Sequence, residues 1–126
     1  MADAIDKARK KGFVWGENDC CLFSCDIALA ITGEDPAKDF RGEYTDHRGS
    51  VLALNKYGAG TLRETATQIM GAEISIARAG RGDFVMADNG AGNMLGVCVG
   101  ESAAFITDAG MVFMKLKKCM TAWRVG

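Results

Sequence analysis

The chain has 126 residues, is 48% apolar and 25% charged, and sets 15 Lys and Arg against 16 Asp and Glu for a formal charge of −1. That length suits a single domain over residues 1–126 with a sizeable core. A near-neutral chain without a Lys/Arg stripe interleaved with aromatics excludes nucleic acid as the default partner, and no run approaches the ~20 apolar residues that span a membrane.

The polar start "MADAIDKARKKG" lacks the apolar segment of a secretory signal. Five cysteines, two of them adjacent, together with no export signal imply reduced thiols in a cytosolic product rather than a disulfide framework. Sixteen glycines against one proline imply many tight turns within one domain.

In chain order, Ala2 to Lys11 reads as an amphipathic helix stopped at Gly12, and "FVWG" (13–16) as an extended lead-in. Asp19 is an N-cap for a helix to Thr32, with Gly33 at its C′ position. Apolar residues on that helix fall at every angle, which places it centrally in the domain. Residues 34–50 carry turn chemistry. Ser50 to Tyr57 reads as a short helix closed by Gly58, and Thr61 with Glu64 as a capping box for a helix through Met70. After Gly71 the period changes, and "AEISIA" alternates. "AEISIA", "DFVMA", "NMLGVCVG", "AAFIT", "GMVFMKL" and "TAWRV" read as short strands between glycine-rich turns such as "DNGAG". The lysines of "KLKK" (115–118) read as a solvated strand edge. Helices first and strands second give an α+β fold, with N-terminal helices packed on a C-terminal antiparallel sheet or small barrel.

The chemistry centres on Cys20. With Asp19 as cap, Cys20 falls in the first helical turn, where unpaired N–H groups and the helix dipole favour a thiolate. A nucleophilic cysteine also needs a base, most often histidine. The one histidine, His47, lies in "YTDHRGS", which reads as an exposed polar turn. Cys21 and Cys25 share a helix face at a spacing metal pairs use. A metal or iron–sulfur site would need Cys98 and Cys119 to converge on them, and core packing is the simpler expectation. Asp83 in "RGDFV" is expected to make a structural turn bond. No cofactor and no metal are expected.

These segments resemble the NlpC-type papain-like cysteine peptidases, which cleave peptidoglycan stem peptides. "FVWGENDCCLF" resembles their lead-in strand and Asp-Cys-Ser-x-Phe, with Cys20 at the nucleophile position and Phe23 at the packing aromatic. "AGRGDFVM" resembles the Gly-Asp turn that opens their sheet. "MLGVCVG" (94–100) resembles the strand they write His-Val-Gly-Ile-Tyr-x-Gly, and "AAFITDAG" the next strand, which carries the third polar residue. By this resemblance Met94 occupies the place of the catalytic histidine, Thr107 falls near the third residue, and Cys20 survives as a vestigial nucleophile.

The chain is also similar, over nearly its full length, to a group of short proteins from tailed phages and prophages. They share F-x-W-G-x-x-D-C (Phe13–Cys20), T-G-x-D-P-A (Thr32–Ala37), R-G-x-Y (Arg41–Tyr44), L-G-V-x-V-G (Leu95–Gly100) and A-W-R-V (Ala122–Val125). That similarity implies a protein made in the host cytoplasm and carried in the virion as part of a tail tip or baseplate, with other tail proteins as partners. The alternative is an active cysteine peptidase or amidase that acts on peptidoglycan during infection, with Cys20 as nucleophile and His47 or a partner chain as base.

Overall fold

The computed structural model describes residues 1–90 and 92–126; Ala91, in the expected turn over residues 88–92, lies outside them. Four helices come first: α1 Ala2–Lys11, α2 Cys20–Thr32, α3 His47–Tyr57 and α4 Leu62–Met70. The strands β1 Phe84–Asp88, β2 Asn93–Cys98, β3 Ser102–Thr107, β4 Gly110–Lys115 and β5 Thr121–Trp123 follow. They form one antiparallel sheet in the order β4-β3-β2-β1-β5, with β4 and β5 at its edges. The expected α+β class is the one observed.

Strand alternation divides the core between the two faces of the sheet. Phe84, Met86, Leu95 and Trp123 pack with Leu22, Cys25 and Ala28 of α2, Ala53 of α3 and Ala66 of α4. The intervening residues Val85, Ala87, Met94, Cys98, Phe105 and Ala122 form a cluster on the far face, covered by Ile74, Ile76, Leu116 and Cys119. A third cluster joins Ala8 of α1 and Phe23 and Ile27 of α2 to Val97, Ala104 and Ile106. Burial on both faces explains why β1, β2 and β3 read as nearly continuous apolar runs.

Local signals fix α2 at both ends. Asp19 accepts from the Leu22 N–H, and Gly33 adopts the left-handed conformation at φ 80° and ψ 0°. The central position expected for α2 holds for its first part, where Leu22 to Cys25, Ile27 and Ala28 are buried. In its last turn Leu29 and Ile31 are exposed.

Four boundaries differ from the sequence reading. Helix α3 begins at His47 rather than Ser50, because Asp46 caps it through the Gly49 N–H at 2.7 Å. "AEISIA" is not a strand: Ile74 makes a single bridge to Ala122, and Ile76–Arg78 form a 3-10 turn. The Ser75 hydroxyl accepts from the Ala77 N–H at 3.3 Å and favours that turn over a ladder. In "KLKK" only Lys115 is on a strand, and Leu116–Lys118 form a second 3-10 turn. In "TAWRV" the strand stops at Trp123, and the Val125 N–H instead donates to Asp83 at 2.8 Å.

Candidate thiol site at the start of α2

The segment leading into α2 is built around two buried polar side chains. Asn18 donates to the carbonyls of Ala8 at 3.0 Å and Gly12 at 2.6 Å, which ties the end of α1 to the start of α2. Asp19 receives three hydrogen bonds: from the Leu22 N–H at 3.0 Å, the Gly16 N–H at 3.1 Å and the Tyr44 hydroxyl at 2.6 Å. Burial, and then the Asp19 carboxylate, push the Tyr44 phenol far above its ordinary range, so it stays a donor. Gly16 sits at φ +80°, and a Cβ there would overlap the Tyr44 carbonyl oxygen. The Gly42 N–H closes the same knot on the Gly16 carbonyl at 2.9 Å.

This frame holds Cys20 at the first position of α2 with its sulfur 3.8 Å from that of Cys21. Both residues are half-buried. The Cys21 thiol, as donor, holds the Cys20 thiol below its ordinary value; burial opposes this, and the Leu95 backbone on β2 assists. The same contact, joined by burial, pushes the Cys21 thiol well above its ordinary value. Cys25, one turn on, is buried, and desolvation raises its thiol strongly.

Strands β2 and β3 pair only at Val97–Ala104 and Cys98–Ala103. A cavity of about 400 Å³ reaches their parted ends and is lined by residues of α2, α3, α4 and the preceding loops. Its wall is mostly apolar and aromatic, with Phe13, Trp15, Phe40 and Tyr44 among its rings. Cys20 and Cys21 open onto it. Across from them stand Asn93, Met94 and Leu95 of β2, together with Thr107 and Asp108.

Met94 pairs with Ala87 and is buried in the far-face cluster, and Cys20 packs on that same cluster. The β2 residue that the NlpC-type resemblance sets at the base position is therefore a thioether, which takes no proton from a thiol. Thr107 is spent on the β3–β4 hairpin, where its hydroxyl donates to the Gly110 carbonyl at 2.9 Å. His47 also lines the cavity, from an exposed position at the start of α3, with its ring centroid 5.7 Å from that of Trp15. The sequence places it in an exposed polar turn and pairs it with Cys20 only in the hydrolase alternative; the structure puts it on the wall of the cavity that Cys20 lines. The Asp46 cap three residues before Gly49 was the signal that could have placed it.

The other motif residues serve the scaffold. Asp35 binds Arg41 in a fork, at 2.7 and 3.0 Å, and Arg41 also reaches Asp26 at 2.8 Å. Asp83 accepts from the Gly80 N–H at 2.9 Å as well as from Val125, which is the structural turn bond expected of it. Trp123 donates from its indole to the Thr67 hydroxyl at 3.1 Å. At Gly96 a Cβ would run into the Ala104 carbonyl and the Phe105 ring.

All five cysteines are free thiols. Cys98 and Cys119 belong to the far-face cluster while Cys25 lies in the helix-side core, so the four cysteines considered for a metal or cluster do not converge. Among the described residues, no group of three or more His, Cys, Asp and Glu side chains is placed to hold a metal ion, and no helix is long and apolar enough to cross a membrane.

No curated protein matches the chain. A family model described as a domain of unknown function, DUF6950, matches residues 1–125, and the chain belongs to that family.

Proposed function

We propose that the protein is a non-catalytic structural component of a phage tail tip or baseplate, built on an NlpC-type frame. One observation carries the loss of catalysis: Met94 stands where the NlpC-type resemblance requires a base, in the cluster on which Cys20 packs. Loss of a general base costs ~100- to 10,000-fold in rate. The tail assignment rests on the similarity of the motifs from Phe13 to Val125 to short phage and prophage proteins. Its partners on this reading are other tail proteins, in the virion.

The test is complementation. A phage or prophage lacking this gene is supplied with wild type or Cys20→Ala, and tails and plaques are counted. The reading expects incomplete tails without the gene and equal rescue by both forms. Normal tails without the gene, or rescue by wild type alone, would sink it.

His47 on the wall of the cavity that Cys20 lines supports a second reading, a hydrolase of peptidoglycan peptides with His47 as substitute base. Digestion of purified peptidoglycan by wild type, Cys20→Ala and His47→Ala separates the two. Release of peptides by wild type, abolished in both variants, would establish the hydrolase; equal and negligible release by all three removes it.

A further inference from the structure

The cavity is unusually rich in sulfur: Cys20, Cys21, Cys25, Met70 and Met94 all line it. Two of these sulfurs stand at a mutual distance that suits a shared ligand. Cys20 and Cys21 hold theirs 3.8 Å apart. A metal at ~2.3 Å from each sulfur would bridge this separation with an S–metal–S angle of about 110°. The first turn of α2 presents unpaired N–H groups and the positive end of its dipole to whatever anionic thiolates form there.

The remaining surroundings choose the metal. Hard cations need carboxylate and carbonyl oxygens, and structural zinc needs four N, S or O ligands. The described residues offer no third His, Cys, Asp or Glu to such a group. They do offer a thioether: Met94 lines the cavity and belongs to the cluster on which Cys20 packs. Thiolate and thioether together select Cu(I), which accepts low coordination numbers and an apolar shell.

We propose that Cys20 and Cys21, with Met94 as third ligand, form a binding site for a soft monovalent cation, Cu(I). Each thiol that ligates gives up its proton to solvent, the thioether binds as a neutral donor, and no electron is transferred. The change to methionine that removes a base from the thiol site supplies a soft ligand to it. This goes beyond the structural role proposed above and stands or falls separately from it.

The experiment is an anaerobic titration of the reduced full chain with Cu(I) against a chromophoric Cu(I) chelator, followed by X-ray absorption at the copper edge. The expected result is one equivalent held against the chelator, with three sulfurs in the first shell. Cys20→Ser and Cys21→Ser each lose that equivalent, Met94→Leu binds more weakly with two sulfurs, and Cys25→Ser and Met70→Leu bind as wild type. A measurement on the unaltered chain guards against misfolded variants: Cu(I) loading is expected to protect Cys20 and Cys21 from iodoacetamide while Cys119 still reacts. Binding that survives Cys20→Ser, tighter binding of Zn(II) than of Cu(I), or protection of Cys119 in place of the pair would overturn the proposal.

Discussion

The two walls of the cavity are made differently. The α2 wall is held by hydrogen bonds that reach across the chain: Asp19 alone joins the start of α2, the Gly16 turn and Tyr44. The wall across from it is held by packing, with Met94 and Leu95 buried among apolar neighbours and Thr107 engaged in its own hairpin. The first wall fixes where the thiol at the start of α2 sits. The second offers that thiol no proton acceptor from Met94 or Thr107. On the proposed reading a nucleophile's seat persists as architecture, because the residues that shape it are also the ones that start the central helix.

The sharpest way to break the α2 wall is Gly16→Ala. It forces a side chain into a left-handed backbone and onto the Tyr44 carbonyl, at an expected cost of about 4 kcal/mol or more. Gly12→Ala, also at positive φ but facing open space, is expected to cost less, about 1–3 kcal/mol. Urea denaturation of the pair measures the difference, and equal midpoints would remove the close-approach argument.

Asp19→Ala comes next. It leaves the Gly16 and Leu22 N–H groups and the Tyr44 hydroxyl without their acceptor, for an expected loss of about 3 kcal/mol. Tyr44→Phe removes only one of those bonds and should cost about 1–1.5 kcal/mol. A double-mutant cycle between them should show coupling; strict additivity would mean that the bond contributes nothing.

The pH dependence follows from raised pKa values. Cys21, Cys25 and Tyr44 all keep their protons in the folded chain at pH values where the unfolded chain has released them. Their contribution is full below the unfolded thiol value of about 8.5 and is lost as pH rises above it. Cys20, whose thiol is lowered, has the opposite sign: its contribution is present above the unfolded value and is lost as pH falls through the folded one. Because three groups oppose one, the urea midpoint should fall between about pH 8 and pH 10.5, and Cys25→Ala should flatten that slope. Alkylation of Cys20 at neutral pH should slow in Cys21→Ala, which lacks the donor.

The smallest effect is expected on the other wall. Met94→Leu conserves volume in a packed cluster and should cost less than about 1.5 kcal/mol, with no change in the rate of Cys20 alkylation. A large change in that rate would show that Met94 controls the thiol and would blur the distinction between the walls.

Much of this molecule was legible in its sequence. Asp19 and Gly33 mark α2 to the residue, Thr61 starts α4 through the Glu64 N–H, and the short apolar runs after Gly82 became β1 to β4. The failures share a cause. In "AEISIA" the apolar alternation was real, but Ile74 and Ile76 meet it by covering the far face of the sheet rather than by extending a ladder. His47 read as loop because a helix start capped by Asp46 looks locally like a polar turn. The Tyr44–Asp19 bond spans 25 positions, and no short-range pattern announces it.

Sequence alone determined the element order, the ends of the central helix, and the presence of a thiol at its start with methionine rather than histidine on β2. These are local facts, written by caps, glycines and residue identity. Only the tertiary structure decided which buried polar groups satisfy one another, that β2 and β3 pair over just two residue pairs, and that five sulfurs line one cavity. Those outcomes depend on packing between segments far apart in the chain, where each contact is fixed by the shape of all the others.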